Sequence, residues 1–431
     1  MPRWRRRRLA ANRQGPGRDG PDGRLRQALA AALAAEPPGA VGIAVSGGSD
    51  SLALLCLAAE LAPGTGRRIA AATVDHGLRP EALDEAARVG AICRGLGLSH
   101  HILTWDHGPV RGNLMQAARA ARYDLLADWA RHEGLTSVLV AHTADDQAET
   151  FLMELARSAG LDGLTGMRPG WVQGGIRFLR PLLGASRAEL RAVLTARGQV
   201  WIEDPSNADP RYARVRARRA LPELAPLGID AAGITASMAH LQSAQAALRQ
   251  ITGREAARLS RHVAGMVQID RQGWSDLPAE IRRRMLLAAM QEVTGAEYAP
   301  RAAALGRVIA RAVEGGEATL AGCRIRAKGD SLLILREAKA VSGLIARPGA
   351  LWDGRWQVCG PFAADMEIRA LGAAGLTGCR DWRETGLPRE ALLVTPAIWQ
   401  GPALVAAPLA GQDAGFSARI LPAPGPFALS H

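Results

Sequence analysis

The sequence has almost no lysine: Lys328 and Lys339 are the only two among 53 basic residues, and the other 51 are arginine. Cysteine is scarce too. Cys56, Cys93, Cys323, Cys359 and Cys379 are scattered with no CxxC pair, which argues against a disulfide framework or a cysteine zinc site and fits a reducing cytoplasm. No uninterrupted apolar run reaches the roughly 18 to 20 residues a membrane span requires, so a soluble chain with no membrane partner is expected. The basic start MPRWRRRR is followed by LAANRQGPGRDGPDG, which has no apolar core. That argues against a signal peptide, and residues 1–22 are expected to form a disordered basic tail. No segment repeats at a fixed period.

What is present is length and positive charge. At 431 residues the chain exceeds one ordinary core, so two or three domains are expected. A net charge of +12 points to a polyanionic partner, nucleic acid first. A genome preferring arginine codons would explain arginine over lysine, but not the surplus of bases over acids.

Four short apolar runs, VGIAVS (41–46), IAAATVDHG (69–77), HHILTW (100–105) and SVLVAH (137–142), are each followed by a helix-like segment. That alternation predicts an α/β fold with a parallel sheet and right-handed crossovers. WVQGGIRFLRPLL (171–183) reads as a hairpin or edge element around Gly174-Gly175, and SRAEL as a helix start with Ser186 capping and Glu189 closing a capping box. That helix should stop at Gly198. Past Pro222, Pro226 and Gly228, helical periodicity predicts a helical domain; from about residue 316, β-type runs and glycine turns predict a small α+β domain. The expected boundaries are 1–22 tail, 23–222 α/β domain, 223–315 helical domain and 316–431 α+β domain.

The richest stretch is VGIAVSGGSDSLALL (41–55). A buried strand, a tight turn and an apolar helix in succession create an anion site, because free N–H groups at a helix start face the ligand and glycines permit close approach. Gly47 and Gly48 supply room, and Ser46, Ser49 and Ser51 offer hydroxyls. Asp50 is an oxygen ligand for a Mg²⁺ accompanying a polyphosphate. No lysine lies nearby, so GxxxxGK[ST] is unsupported, and GxGxxG is absent here. SGG alone would be an ordinary turn with Ser49 or Asp50 capping the helix. The whole strand-loop-helix resembles the pyrophosphate loop (PP-loop) of the ATP pyrophosphatases, which cleave ATP between its α and β phosphates and adenylate a carbonyl oxygen.

Further motifs narrow the resemblance. VDHGLR (74–79), NLMQAARAARYDLL (113–126), AHTADDQAETFLMELARSAGLDGLTGM (141–167), RPLL (180–183) and WIEDPSNADPRYARVRAR (201–218) occur in the order found in the tRNA(Ile)-lysidine synthetase family, which this chain resembles over about half its length. The resemblance implies ATP and Mg²⁺ as cofactors, L-lysine and a tRNA(Ile) with CAU anticodon as partners, and adenylation at C2 of the wobble cytidine. Lysine then displaces AMP to give lysidine.

Read physically, Thr143 caps a helix and Asp145, Asp146 and Glu149 share its first two turns. That acidic patch at the sheet's carboxyl end suggests recognition of a cation, either Mg²⁺ or an ammonium. By resemblance, Asp146 and Glu149 hold lysine, with Asp145 and His142 shaping the site. An acid such as Asp146 or Glu149 takes the proton of the ε-amine. Arg119 and Arg122 share a helical face, and Arg214 follows the EDPSN turn; forked guanidinium groups suit phosphates. Resemblance raises Arg122 and Arg214 to catalytic candidates beside Asp50, Asp146 and Glu149. His76 and His142 are expected to line the nucleotide pocket. Two departures from the family stand out: Thr143 replaces a second histidine after His142, and Val215 replaces an asparagine after Arg214. His100 and His101 lack metal-spaced partners, so no metal site is expected there. Two alternatives stay open, a PP-loop tRNA thiolase and a non-catalytic RNA-binding protein. The oligomeric state, a homodimer included, is left open.

Overall fold

In the computed structural model, residues 21–77, 81–108, 114–203, 209–296 and 299–421 are described. Residues 1–20 of the basic tail, Leu78 and Arg79 of VDHGLR, Asn113, the DPSN turn at 204–207 and the Pro-rich end lie outside them, while residues 21 and 22, expected in the tail, open the first helix.

The first compact unit covers residues 1–242. Its elements run α1 (Pro21–Ala34), β1 (Ala40–Ala44), α2 (Ser49–Thr65), β2 (Ile69–Asp75), α3 (Ala82–Gly95), β3 (Ser99–Thr104), α4 (Leu114–His132), β4 (Leu135–Leu139), α5 (Ala144–Leu155), α6 (Leu161–Leu164), β5 (Gly170–Gln173), β6 (Ile176–Leu179), α7 (Arg187–Ala196) and α8 (Ala213–Leu224). The sheet has the order β3-β2-β1-β4-β6-β5. Every pairing is parallel except the β5–β6 hairpin at the edge, which turns through Gly174 and Gly175, both at positive φ. The expected parallel sheet and edge hairpin are thus both present.

Alternation along β1 explains the two layers. Val41, Ile43 and Val45 enter a core with leucines of α1, α2 and α7 on one face. Ala40 and Ala44 meet Tyr123, Leu126 and Trp129 of α4 on the other. A β-carbon on Gly42 would lie 2.7 Å from the Trp129 ring, so glycine lets that indole approach the strand this closely. Leu52, Leu54, Leu55 and Leu57 of α2 are fully buried, each contributing about 1.5–3 kcal/mol of transfer free energy. This anchors the helix whose start carries the glycine loop.

Chain order reverses between β1 and β4, with β2 and β3 on one side and β6 and β5 on the other. Open α/β sheets bind ligands at such a switch point, outside the carboxyl ends of the strands. The SGGSDS loop leaves β1 there, and the AHTADD loop leaves β4 there.

The second unit covers residues 243–431. The chain reaches it through helix α9 (Ala231–Leu259), which is followed by β7 (Ser260–Val263), β8 (Met266–Asp270), α10 (Arg271–Ser275), α11 (Ala279–Thr294), α12 (Ala302–Val313), β9 (Glu317–Leu320), β10 (Cys323–Lys328) and β11 (Ser331–Arg336). These strands form an antiparallel sheet, β7-β8-β11-β10-β9, covered by α11 and α12. A four-stranded and a two-stranded sheet follow within residues 345–420. Residues 260–270 fall in a stretch expected to be helical, yet they form a hairpin. Ala264 and Gly265 both have positive φ there, as a two-residue turn matched to strand twist requires. Among the described residues no helix is long and apolar enough to cross a membrane.

Candidate active site

The loop after β1 is built by its own hydroxyls. Ser51 Oγ donates to the Gly48 carbonyl at 3.0 Å, the Ser46 amide donates to Ser51 Oγ at 3.2 Å, and the two hydroxyls lie 3.3 Å apart. Gly47 has φ +85°, and a β-carbon there would come within 2.7 Å of Ile202. The Gly47 carbonyl accepts from the Ile202 amide at 2.9 Å, so Ile202 clamps the loop from outside. Gly48 is the N-cap of α2, and neither Ser49 nor Asp50 caps the helix. Ser49 Oγ donates to Asp50 Oδ1 at 3.0 Å instead. The N-cap of α2 thus supplies no side-chain hydrogen bond to the first amides of the helix, an arrangement compatible with a phosphate cradle.

The loop after β4 is a capping box. Thr143 caps α5, accepting from the Asp146 amide, and Asp146 Oδ2 accepts from the Thr143 amide at 2.9 Å. The residue noted as a departure thus carries a local structural role. The cap consumes Asp146 Oδ2 and leaves Oδ1 to face the site.

The acids expected to form a patch at the sheet's carboxyl end are joined by a cation that sequence reading missed. Arg187, the first residue of α7, places Nε 3.2 Å from Asp50 Oδ2, Nη2 3.5 Å from Asp146 Oδ1 and Nη1 3.5 Å from Glu149 Oε1. Its amide donates to Asp145 Oδ2 at 2.7 Å. SRAEL was legible as a capped helix, which the structure bears out with Ser186 and Glu189. A signal for function was nevertheless present, because an arginine in a first helical turn opposes the dipole and implies acids close by.

Glu149 is fully buried and receives two more guanidiniums. Arg218 donates Nε to Oε1 at 2.7 Å, and Arg214 Nε lies 3.3 Å from Oε2 while its Nη2 donates to Thr150 Oγ1 at 3.2 Å. Burial alone would raise the Asp146 carboxyl. Arg214, the Thr143 amide and Arg187 outweigh it and hold Asp146 below the usual aspartate range. At Asp50 burial wins, aided by the Asp146 charge, and the carboxyl is raised despite Arg187.

His142 borders the acids and is neutral. Burial first, then Arg180, Arg122 and Arg119, pull its imidazole down to about 3. Arg180 of the RPLL motif donates Nε to His142 Nδ1 at 3.1 Å and its Nη1 to the Arg168 carbonyl at 2.7 Å. The Arg180 guanidinium lies 4.0 Å over the Trp171 ring, which stacks on Phe178. Arg180 is the second residue that sequence reading missed. The folded imidazole titrates below its unfolded value of about 6.5, so its contribution to stability is complete above pH 6.5 and is lost as pH falls toward 3. The stability advantage of the native protein over His142→Asn should therefore shrink by roughly 1–2 kcal/mol between pH 7 and pH 5. Denaturant melts of the pair at the two pH values measure it, and a constant difference would mean an exposed, ordinary imidazole.

His76 stands 6.0 Å edge-on from Trp105, its ring lowered by burial and by Arg122. It lies just past β2, on the sheet end that carries the loops. Arg122 is on α4, one turn from Arg119. Among the described residues, no group of three or more His, Cys, Asp or Glu could by itself cage a metal. Mg²⁺ accompanying a nucleotide needs no cage, since one or two carboxylates plus phosphate oxygens suffice, and Asp50 at the loop fits that demand.

A family model described as a PP-loop domain matches residues 21–224. A tRNA(Ile)-lysidine synthase from Ruegeria pomeroyi is 47% identical over 392 residues, covering 91% of this chain and 94% of the relative. One from Zymomonas mobilis is 41% identical, covering 68% of this chain and 88% of the relative. Among solved structures, a U34-tRNA thiolase from Methanococcus maripaludis is similar at 16% identity and TM-score 0.44, covering 51% of this chain and 78% of that one. At that level the likeness carries no argument about activity.

Proposed function

This chain belongs to the tRNA(Ile)-lysidine synthase family, and on that premise we propose that it ligates L-lysine to C2 of the wobble cytidine of a tRNA(Ile) with CAU anticodon, in the cytoplasm, converting ATP to AMP and pyrophosphate. The observation that carries this reading is the meeting of Asp50, from the glycine loop, with Asp146 and Glu149, from the first turns of α5, at the switch point of the sheet.

In this reading Ser46, Gly47, Gly48, Ser49 and Ser51 hold the outer phosphates through loop amides and hydroxyls, and His76 and His142 line the nucleotide pocket. Asp50 would hold Mg²⁺, which when bound neutralises charge on the departing pyrophosphate. Arg122 and Arg214 place guanidinium charge on the phosphates and the adenylated base. The enzyme's own contribution is alignment and charge compensation in a site where the reacting groups are already oriented. Asp146 and Glu149, with Asp145 beside them, take the lysine. Because Asp146 is held below the ordinary aspartate range, it serves as charge partner to an ammonium group rather than as a strong base. Residues 223–315 and 316–431, carrying part of the surplus positive charge, bind the tRNA body.

A sulfur-transfer reading is disfavoured by the cysteines. Cys56 and Cys93 are packed in the core with burial raising both thiols, Cys93 to about 11, so neither presents a thiolate near the loop. The deciding experiment combines the full chain with ATP, Mg²⁺, labelled lysine and a tRNA(Ile) transcript. Label is expected in the RNA with one pyrophosphate released per lysine. Release of orthophosphate, or labelling of a transcript whose wobble C is replaced by U, would overturn the proposal.

A further inference from the structure

The acids proposed to receive Mg²⁺ and lysine already hold a cation that belongs to the protein. Arg187 touches Asp50 on the nucleotide side and Asp146 and Glu149 on the lysine side. It is the one side chain described in contact with all three. Its contacts are unequal: only the 3.2 Å bond to Asp50 has ordinary hydrogen-bond length, and the two 3.5 Å approaches lie at its outer limit. Glu149 is held more tightly by Arg218, at 2.7 Å. Asp146 keeps Oδ2 in the helix cap and turns Oδ1 to Arg187. The Arg187 side chain retains 19% exposure, whereas Glu149 has none. A guanidinium so placed is anchored by Asp50 and loosely occupies the oxygen that an incoming ammonium must reach.

Taking the lysine-site reading above as its basis, we propose that Arg187 couples the two substrates. Without nucleotide its guanidinium stands in for the lysine ammonium at Asp146. When Asp50 is engaged by Mg²⁺ and a triphosphate arrives, Arg187 loses its anchor and gains a stronger bidentate partner in the phosphates, which frees Asp146 Oδ1 for lysine. A purely structural arginine would tie the loop to α5 and leave lysine affinity indifferent to nucleotide. The coupled arginine makes lysine binding conditional on ATP and, by reciprocity, ATP binding tighter in the presence of lysine by the same factor. The hydrolytic side reaction of an empty adenylating site is thereby disfavoured.

The test is equilibrium dialysis of labelled lysine against the full-length protein, with and without Mg²⁺ and α,β-methylene-ATP. Native protein is expected to bind lysine at least about 10-fold more tightly with the analogue, within the usual range of coupling between sites. In Arg187→Ala the nucleotide-free affinity should rise to within about 3-fold of the liganded native value, so that the coupling factor falls below about 3. Arg187→Lys, which keeps the charge, should restore part of it. Arg187→Gln serves the same purpose as the alanine variant if circular dichroism shows the latter misfolded. A native protein indifferent to the analogue, or an Arg187→Ala protein with the native coupling factor, would overturn the inference. Failure of the underlying site reading looks different: Asp146→Asn would then bind lysine as the native protein does in the presence of the analogue.

Discussion

Asp50→Asn is expected to lower kcat/KM for lysidine formation by about 10²–10⁴-fold while tRNA affinity stays within about 2-fold of native. The expectation follows from charge placement. Asparagine preserves shape and can still accept from Ser49, but it removes the only carboxylate on the glycine loop, where a metal would balance a polyphosphate. Losing a preorganised charge interaction in a water-poor site costs roughly this much in rate. The fold should survive, because the loop is built by Ser46, Ser51 and Gly48 among themselves and clamped by Ile202, and an amide oxygen can still accept one of the bonds that Asp50 receives from Ser49 and Arg187. Steady-state rates and filter binding on the same preparation measure both numbers. Native-like ligation by this variant would remove the metal role, and joint loss of ligation and RNA binding would point to a phosphate clamp for RNA in place of an ATP site.

The second large effect is expected in stability. Glu149→Gln should cost about 3–5 kcal/mol, the usual consequence of removing one partner from a buried charge cluster. Here one fully buried carboxylate faces Arg187, Arg214 and Arg218, so a neutral amide leaves three guanidiniums with one compensating charge fewer. For a unit of this size that corresponds to a fall in melting temperature of roughly 6–20 °C, measurable by calorimetry. Arg218→Gln combined with Glu149→Gln should recover part of the loss, since the double change removes both members of the tightest pair. An unshifted melting temperature for the single variant would show that water reaches Glu149 and screens the cluster. Separately from stability, ligation by Glu149→Gln should be lost, because the same carboxylate holds Arg187, Arg214 and Arg218 beside the proposed lysine site.

The N-terminal architecture was legible because its signals are local. Apolar runs at strand length, the Gly-Gly turn at 174–175, the Ser186–Glu189 box and Thr143 as a cap all depend on neighbours within a few residues, and each stands in the structure as the pattern implied. The β7–β8 hairpin was missed for the complementary reason. SRHVAGMVQID sits between helical stretches, and its pairing depends on β8 finding β11, some 60 residues away.

What the sequence determined by itself was the inventory and its rough placement: a glycine loop after a first strand, three acids on one helical face after a fourth, and a large excess of arginine. What tertiary structure alone decided was which arginines meet which acids. Arg187 is 137 residues from Asp50 and Arg218 is 69 from Glu149, and no local periodicity encodes a pairing across such separations. Chain order reverses between β1 and β4, which brings their two loops together, and α7 and α8 then deliver guanidiniums into the gap. Burial there makes each unmatched charge costly, so the acids that read in sequence only as a patch on a helix start are met in the fold by guanidiniums.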